Sequence, residues 1–403
     1  MPEQCRPAAL PAALRLIASH SRDSDDALLK KGGCTLRRFF LVIPAIVSNG
    51  RELISSIDAL CSGGEVPLSV ASRFLRLWVK SGRFRLLDTR DRLAVIESAS
   101  KMLATGDDDA LAALFCIEKK NALFSKSPLR LQQHPRKIMN WGALTDAELA
   151  TSISALSREV YRRIELQEVL RKGWTRPKYA HCGDTICAFI DQSNHISWWT
   201  AAKILSSDIS SPSERKDLCA RFARVGVLLL DSPHSNFHGA IAILSGLLHS
   251  SVRRLKLCGK DNADVVRLKA AFSPTGRYSE YREMLQSRLK VRAPCIPHLG
   301  VHLTDALAAH ESFRRESEEC SESSLKPALR KGDEAFLCGS LARLADVVQI
   351  LEHAQQSLPC PSGPVRGVSA LLLEWKAFSA ASKKDVDAML RKRSSSIVAA
   401  PSQ

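Results

Sequence analysis

The chain has 403 residues, a length that corresponds to two or three domains of ordinary size. Hydrophobic residues make up 45% of it and charged residues 25%, so the composition is that of a folded protein and not of a disordered one. Lysine and arginine number 58 against 42 acidic residues, and the resulting net charge of +16 favours an anionic partner such as nucleic acid, anionic lipid or an acidic protein surface.

The sequence contains no apolar run that approaches the roughly 18 residues of a membrane-spanning helix. Residues 1–20 are interrupted by Pro7 and Pro11 and lack a basic flank before an apolar core. A secretory signal is therefore not expected, and an organellar presequence stays an alternative. The 12 cysteines include no CxxC pair, which favours reduced thiols over a disulfide scaffold. We therefore expect a cytoplasmic protein.

The N-terminal part of the chain shows helical periodicity, with apolar residues three and four positions apart. The periodic stretches are 37–61, which is broken at Asn49-Gly50, 69–84 and 91–103. They predict an N-terminal extension over residues 1–29 and one helical bundle over residues 30–120. Residues 121–142 are irregular, with Pro128, Pro135 and a basic, amide-rich patch, which predicts a linker.

The helical pattern resumes at Thr145, where Glu148 completes a capping box that predicts the start of a helix. Further helices are predicted at 194–206, 213–230, 236–249, 261–272, 277–289 and 336–357. Strand patterns are almost absent, so the predicted fold class is all-α, with a second and larger helical domain over residues 143–393. The polar end of the chain, residues 394–403, is predicted to be a disordered tail.

The sequence lacks the common motifs of enzyme active sites, including the phosphate-binding loop GxxxxGK[ST], the GxSxG elbow and HExxH. His234, His238 and His249 lie near one another in sequence and raise the alternative of a metal site. Asn236, however, is a good N-cap, which would place His234 before the helix begins. No cysteine or carboxylate joins these histidines at ligand spacing, so neither a metal nor a cofactor is predicted.

Basic residues are dispersed along the chain, and aromatic residues amount to only 6%. Three basic patches stand out, at residues 130–137, 253–256 and 391–393. Each is equally well explained as a linker, a solvated helix face or a tail. Nucleic acid is therefore not expected to be the main partner.

Four stretches in the middle of the chain carry a resemblance to a known family. They are NHISWWTAAKILSS at 194–207, SNFHGAIAILSGLLHSSVRRLK at 235–256, AAFSPTGRYSEYREMLQS at 270–287 and APCIPHLGVHLTDAL at 293–307. In this order they resemble the successive signatures of the Ras guanine-nucleotide exchange factor (RasGEF) catalytic domain. The flanking stretches resemble its opening helices (148–174), its protruding helical hairpin (337–357) and its last helices (371–393). The bundle over residues 30–120 resembles, less closely, the Ras exchanger motif.

The resemblance implies a protein that promotes GDP release from a Ras-family small GTPase, either Ras-like or Rap-like. Such a factor uses no covalent chemistry and no cofactor. It binds the nucleotide-free GTPase more tightly than the nucleotide-bound form, and linkage then requires the nucleotide to be bound more weakly. The family does this by inserting the helical hairpin beside the nucleotide site.

The resemblance also implies site residues. It assigns a catalytic role to Asn236 and to four apolar residues of the hairpin helix, which are Val347, Val348, Ile350 and Leu351. It assigns GTPase contacts to Asn194, Trp198, Phe237, His298, His302, Asp305, Arg343, Asp346 and Glu352. His298 and His302 stand where the family usually has tyrosines, and Asp305 is expected to cap or orient the next segment.

The hairpin helix departs from the family pattern, which leaves a second function open. Family members place an acid about one turn after an apolar residue, whereas here Ile350-Leu351 occupies that position and Asp346 and Glu352 only flank it. The alternative is a catalytically weak or inactive adaptor that binds a GTPase or another protein.

The basic end of the chain adds a candidate for membrane contact. Residues 391–393 precede three serines and could transiently contact anionic lipid, with phosphorylation weakening the contact. The alternative is an unstructured end that carries solubilising charge. On either interpretation, the net charge would steer the protein toward an acidic GTPase surface or an anionic membrane.

Overall fold

The structure is a computed structural model. It describes residues 50–81, 83–87, 89–103, 140–175, 183–209, 211–257, 262–319, 339–359, 365–378 and 381–399, together with a few single positions before residue 50. Most of the predicted N-terminal extension, the linker residues 121–139 with their basic patch, and the end of the tail at 400–403 lie outside the described residues.

The described elements are helices. In chain order they are α1 (Gly50–Ser62), α2 (Leu68–Lys80), α3 (Thr89–Leu103), α4 (Asp146–Tyr161), α5 (Leu166–Arg171), α6 (Asp184–Ile204), α7 (Pro212–Leu230), α8 (Phe237–Leu247), α9 (Ser250–Arg253), α10 (Ala263–Ala271), α11 (Ser279–Lys290), α12 (Leu299–Glu319), α13 (Gly339–Ser357), α14 (Val368–Lys376) and α15 (Lys383–Ala399). Within the described residues, the single β-type contact is an isolated parallel bridge between Asn236 and Ile296. The predicted all-α fold is confirmed.

Most predicted helices are found close to their predicted positions. Those expected at 213–230, 236–249, 261–272 and 277–289 correspond to α7, α8, α10 and α11, with ends displaced by at most two residues. The capping box is also confirmed, because the Thr145 side chain accepts from the backbone N–H of Glu148 while the Glu148 carboxylate accepts from that of Thr145. Helix α6 is an exception, since it begins at Asp184 and not at residue 194.

The chain forms two compact units. The first comprises Met1–Gln133, Glu165–Thr175 and Leu303–Gln349, and the second comprises His134–Ile164, Arg176–His302 and Ile350–Gln403. Apart from the end of the linker and the start of the tail, which are corrected below, the predicted domain boundaries and the Ras exchanger motif stay predictions.

Helix α2 supplies the aromatic core of the first unit. Its apolar residues lie three and four positions apart, so that Phe74 and Trp78 are fully buried on one face. The Phe74 ring meets that of Phe40 edge-on at 5.3 Å, and Trp78 meets Phe84 at 5.0 Å. The opposite side of α2 is basic and binds Asp25, which accepts from Arg73, Arg76 and Lys80.

Helix α8 is the central helix of the second unit, where it packs against α6, α7, α4 and α10. Its contact with α6 is unusually close at Gly246. A Cβ atom at this position would lie 2.6 Å from the carbonyl oxygen of Ser197 and 2.6 Å from Cβ of Thr200. The missing side chain therefore allows the two helix backbones to approach each other.

The second unit begins before the end of the predicted linker. Asn140 caps a short 3-10 helix at Trp141–Ala143, and the Trp141 ring packs edge-on against Trp199 at 5.2 Å and stacks on Phe222 at 6.0 Å. Arg221 lies over the same ring, 5.5 Å from its centroid. The prediction of a linker through residue 142 is therefore wrong for its last residues, because Trp141 is part of the packed unit.

The prediction of a disordered tail is wrong for residues 394–399. Helix α15 continues to Ala399, and its buried face runs through Val386, Leu390 and Ser394 at intervals of four residues. Ser394 is buried, and its hydroxyl has a hydrogen-bond partner because it donates to the backbone oxygen of Ser251 at 2.7 Å. A polar residue thus continues an apolar stripe, which is why the sequence pattern alone ends too early.

The close contact at Gly246 predicts the effect of adding one methyl group. Gly246→Ala should destabilise the protein by about 1–3 kcal/mol, because the new Cβ meets a backbone oxygen that cannot move aside. Gly339→Ala is the matched control, since a Cβ there has its nearest neighbour at 3.6 Å. Urea unfolding followed by circular dichroism measures both. Equal stability of the Gly246→Ala variant and the original chain would contradict the packing argument.

Candidate functional site

Asn236 lies at the start of α8 and connects three parts of the second unit. Its side-chain oxygen accepts from the backbone N–H of Gly239 at 2.8 Å, which confirms the predicted N-cap. Its amide nitrogen lies 3.5 Å from the Ser154 hydroxyl of α4. The residue is completely buried. Asn236 is therefore a structural anchor in this conformation, and its side chain is not available to contact a partner directly.

Backbone hydrogen bonds hold the segment around Asn236 against the segment that precedes α12. The Phe237 N–H donates to the Ile296 oxygen at 3.0 Å, and the Ile296 N–H donates to the Ser235 oxygen at 2.9 Å. Ser235 has a φ of 42°, in the left-handed region, which turns the chain into the helix. The start of α8 and the approach to α12 thus form one rigid frame.

Tyr281 of α11 is the polar centre of this frame. Its hydroxyl accepts from the backbone N–H of His298 at 3.0 Å and pairs with Nε2 of His302 at 2.7 Å. Its ring packs edge-on against Phe237 at 5.3 Å. The sequence pattern does not single out Tyr281, although it lies within a family-like stretch, because a tyrosine flanked by charged residues gives no periodic signal of its own.

Burial keeps the histidines around this frame neutral. Desolvation lowers the pKa of His302 to about 3, with the nearby charges of Arg282 and His298 adding to the effect. It lowers the pKa of His298 to about 4. His238 also has a pKa of about 3, because it is buried and lies near His298. These groups are therefore structural at neutral pH.

The three histidines that lie near one another in the sequence have different structural environments. The His238 ring stacks on the Phe189 ring with a centroid distance of 3.6 Å, and its Nε2 atom is hydrogen-bonded to the backbone oxygen of Phe189 at 3.1 Å. His249 caps α9 and pairs with Asp387 at 3.2 Å. His234 is half-buried and precedes α8. Within the residues that the structure describes, no group of three or more histidine, cysteine or acidic side chains could hold a metal ion.

Helix α13 divides the predicted hairpin residues between two faces. Val347, Val348 and Leu351 are buried. Arg343 is exposed, and Asp346 and Ile350 are partly exposed at helical spacing from it, so these three residues lie on the open face of the helix. The residues of this open face can meet a partner without a change in the packing of α13.

The C-terminal part of α13 is fixed by α4. The Tyr161 hydroxyl donates to the backbone oxygen of Leu351 at 2.9 Å. The Gln355 amide donates to the backbone oxygens of Tyr161 and Ile164 at 3.0 and 2.9 Å. Sequence analysis missed Tyr161 and Gln355, because contacts between residues so far apart in the chain leave no local pattern.

The remaining predicted contact residues differ in exposure. Phe237 and His302 are buried, Trp198 is nearly so, and Asn194, His298, Asp305 and Glu352 are partly exposed. Asp305 lies within α12 and not at its end, so it does not cap a segment, and the alternative expectation that it orients one stays a prediction. It occupies the second turn of a helix that already begins at Leu299.

The described residues are thus all-helical, with a buried polar frame around Tyr281 in the second unit and, described separately, an exposed face on α13. None of the described helices is long and apolar enough to cross a membrane. Comparison with known families is more specific, since residues 148–325 match the family model of the RasGEF domain. Residues 148–325 are therefore similar to a RasGEF domain.

Individual relatives agree with this assignment. The chain is 28% identical over 268 residues to Ras guanine nucleotide exchange factor J of Dictyostelium discoideum, covering 64% of this chain and 30% of that protein. It is 28% identical over 250 residues to factor I of the same organism, covering 57% and 29%. It is also 28% identical over 167 residues to the Ras-specific guanine nucleotide-releasing factor RalGPS1 of Danio rerio, covering 40% and 28%. The chain thus spans less than a third of these relatives.

The buried histidines predict loss of stability in mild acid. Their folded pKa values lie below the ordinary value near 6.5, so the unfolded chain binds protons first as the pH falls. The contribution of these histidines to stability is therefore fully present above about pH 6.5 and is lost as the pH falls through that value toward 4 for His298 and toward 3 for His238 and His302. Each fully buried histidine should cost about 2 kcal/mol at pH 5.

His302→Gln tests this prediction, because the amide can still bond Tyr281 but does not titrate. The difference in unfolding free energy between pH 7.5 and pH 5 should shrink by about 2 kcal/mol. His353→Gln, at an exposed position, is the control and should leave that difference unchanged. An equal pH dependence in both variants would refute the assignment.

Proposed function

We propose that this chain is a guanine-nucleotide exchange factor that promotes GDP release from a Ras-family small GTPase, either Ras-like or Rap-like. The match of residues 148–325 to the RasGEF domain carries the proposal, and the relatives named above are themselves called Ras exchange or releasing factors. The activity would be catalysis of exchange through binding, without covalent chemistry and without a cofactor.

The proposed mechanism uses the open face of α13 to disturb the nucleotide site of the GTPase. Asp346 would compete with the nucleotide phosphates for the cations that hold them, and Ile350 would supply apolar contact one turn later on the same face. The order of acid and apolar residue is the reverse of the family pattern. Arg343 would add an electrostatic contact to an acidic GTPase surface.

The buried residues would act as positioning residues. Val347, Val348 and Leu351 fill the packed face of α13 and so fix the direction of its open face. Asn236 holds the start of α8 against Ile296 and thereby supports the frame of Tyr281, His298 and His302. Preorganising these surfaces increases affinity for the nucleotide-free GTPase, because less ordering is needed on binding.

The alternative function is an adaptor that binds a GTPase or another protein with little or no exchange activity. The observation in its favour is the position of Asp346, which precedes Ile350 where the family pattern has an acid after the apolar residue. Binding alone does not require an acid at the nucleotide site.

We also propose a cytoplasmic location. Two cysteines in the described part of the chain, Cys61 and Cys295, are free thiols, which is typical of a reducing compartment. A GTPase at a membrane surface would recruit the protein there.

The first test measures release of fluorescent GDP from a panel of Ras-family GTPases. The full chain should accelerate release from at least one member, and the double variant Asp346→Ala/Ile350→Ala should reduce that acceleration at least tenfold. Gln356→Ala, at an exposed position of the same helix outside the open face defined above, should retain activity within twofold. If a GTPase binds but release is not accelerated, the adaptor function is supported instead.

The second test compares two asparagine caps. Asn236→Ala and Asn262→Ala each remove the N-cap of one helix, at a cost of about 1 kcal/mol for the cap itself. Asn236→Ala additionally leaves buried groups unpaired, so its total cost should be about 2–3 kcal/mol. At a temperature where both variants are folded, only Asn236→Ala should lower the exchange rate. Equal rates in the two variants would show that Asn236 has no positioning role.

A further inference from the structure

Two basic patches that are far apart in sequence lie side by side in the second unit. The first patch is Arg253, Arg254 and Lys256, on α9 and the turn after it. The second is on α15, in the sequence Arg391-Lys392-Arg393. The Arg254 guanidinium donates to the Ser395 hydroxyl at 3.0 Å, across 141 residues of sequence.

Two further contacts fix α15 against α9. The Ser394 hydroxyl donates to the backbone oxygen of Ser251 at 2.7 Å, and this contact is buried. His249, the cap of α9, pairs with Asp387 of α15 at 3.2 Å. These contacts hold the two patches together as one surface of fixed geometry.

One side of α15 extends this surface. Lys384, Arg391, Ser395 and Val398 follow one another at intervals of seven, four and three residues, so they share one face of the helix, and Ser395 shows that this face is the one beside α9. Arg393 projects on the other side, where it contacts the backbone oxygen of Ala202 at 3.5 Å.

The charge on this surface is not neutralised by acids. The side chains of Arg253, Arg254, Lys256, Lys384, Arg391 and Lys392 are exposed, and within the described residues none of them pairs with a carboxylate. The two acids of α15 bond to groups outside the six cations, Asp385 to Ser382 and Asp387 to His249 at the junction with α9. We define these six basic residues as the α9/α15 basic face.

The composition of the face favours a membrane over nucleic acid. Neither α9 with its following turn nor α15 contains an aromatic residue, so there is no platform for base stacking. Val398, 59% exposed, instead places an apolar side chain beside the cations. Exposed cations next to an apolar side chain on a surface helix are typical of proteins that lie on anionic bilayers.

We propose that the α9/α15 basic face binds the headgroups of anionic phospholipids at a membrane surface. Each lysine or arginine near such a surface contributes roughly fivefold in affinity. Six of them, held on one fixed face, are sufficient for reversible attachment. This binding does not depend on the exchange function proposed above, since no GTPase takes part in it.

The test uses the full chain and vesicles without any GTPase. Sedimentation with vesicles of 70% phosphatidylcholine and 30% phosphatidylserine should capture the chain in about 0.1 M salt, and pure phosphatidylcholine vesicles should not. Binding should weaken as salt is raised, because the attraction is electrostatic.

Charge reversal locates the surface. The triple variant Arg254→Glu/Arg391→Glu/Lys392→Glu should lower partition onto the anionic vesicles at least tenfold. The control Lys216→Glu/Lys269→Glu/Lys290→Glu makes the same change in net charge at exposed positions of α7, α10 and α11, and should lower it less than threefold. Thermal unfolding checks that both variants are folded. Arg391→Ala/Lys392→Ala, a milder change, should lower partition at least threefold and keeps the test valid if the triple variant does not fold.

Three results would overturn the proposal. Equal losses in the two triple variants would mean that net charge alone controls binding. Equal capture by neutral and anionic vesicles would exclude headgroup recognition. Binding of a DNA or RNA duplex that the basic-face variant abolishes, without any capture by vesicles, would identify nucleic acid as the ligand instead.

Discussion

The hydrogen bonds of Asn236 are the interaction on which the second unit depends most. Its side chain ends the turn before α8, and the neighbouring backbone groups pair with Ile296 at the approach to α12. A buried polar group is stabilising only when its partners are all present, so this junction permits few alternative arrangements. Because α8 packs against α4, α6, α7 and α10, a change in the conformation of its N-cap would alter the packing of each of those helices.

Helix α13 has a packed face and an exposed face within the same two turns. The same two turns contain Val348 and Leu351, which are buried, and Asp346 and Ile350, which reach solvent. Substitutions on the packed face should therefore reduce stability, whereas under the proposed function those on the open face should reduce affinity for the GTPase. The sequence of α13 alone does not show which residues lie on its packed face and which on its open face, because this depends on the segments packed against the helix.

The sequence was sufficient for the helical class, the family-like stretches and the cap at Asn236, because these depend on local periodicity and on motifs a few residues long. It was insufficient where distant segments meet. The role of Tyr281 depends on His298 and His302, and the end of α15 depends on Ser251, so neither could be predicted from neighbouring residues. The predicted start of α6 is too late because the polar run at residues 191–195 interrupts the apolar pattern, although Ile186 and Phe189 before it are buried.

The packing of Trp141 has a practical consequence for work with the isolated RasGEF domain. A fragment beginning at the first residue of α4 would lack this ring and leave the surfaces of Trp199 and Phe222 that it covers open to water. Freshly exposed aromatic surface promotes self-association, so such a fragment would tend to aggregate on expression. A fragment that starts at or before Asn140 retains both Trp141 and the Asn140 side chain that caps the 3-10 helix.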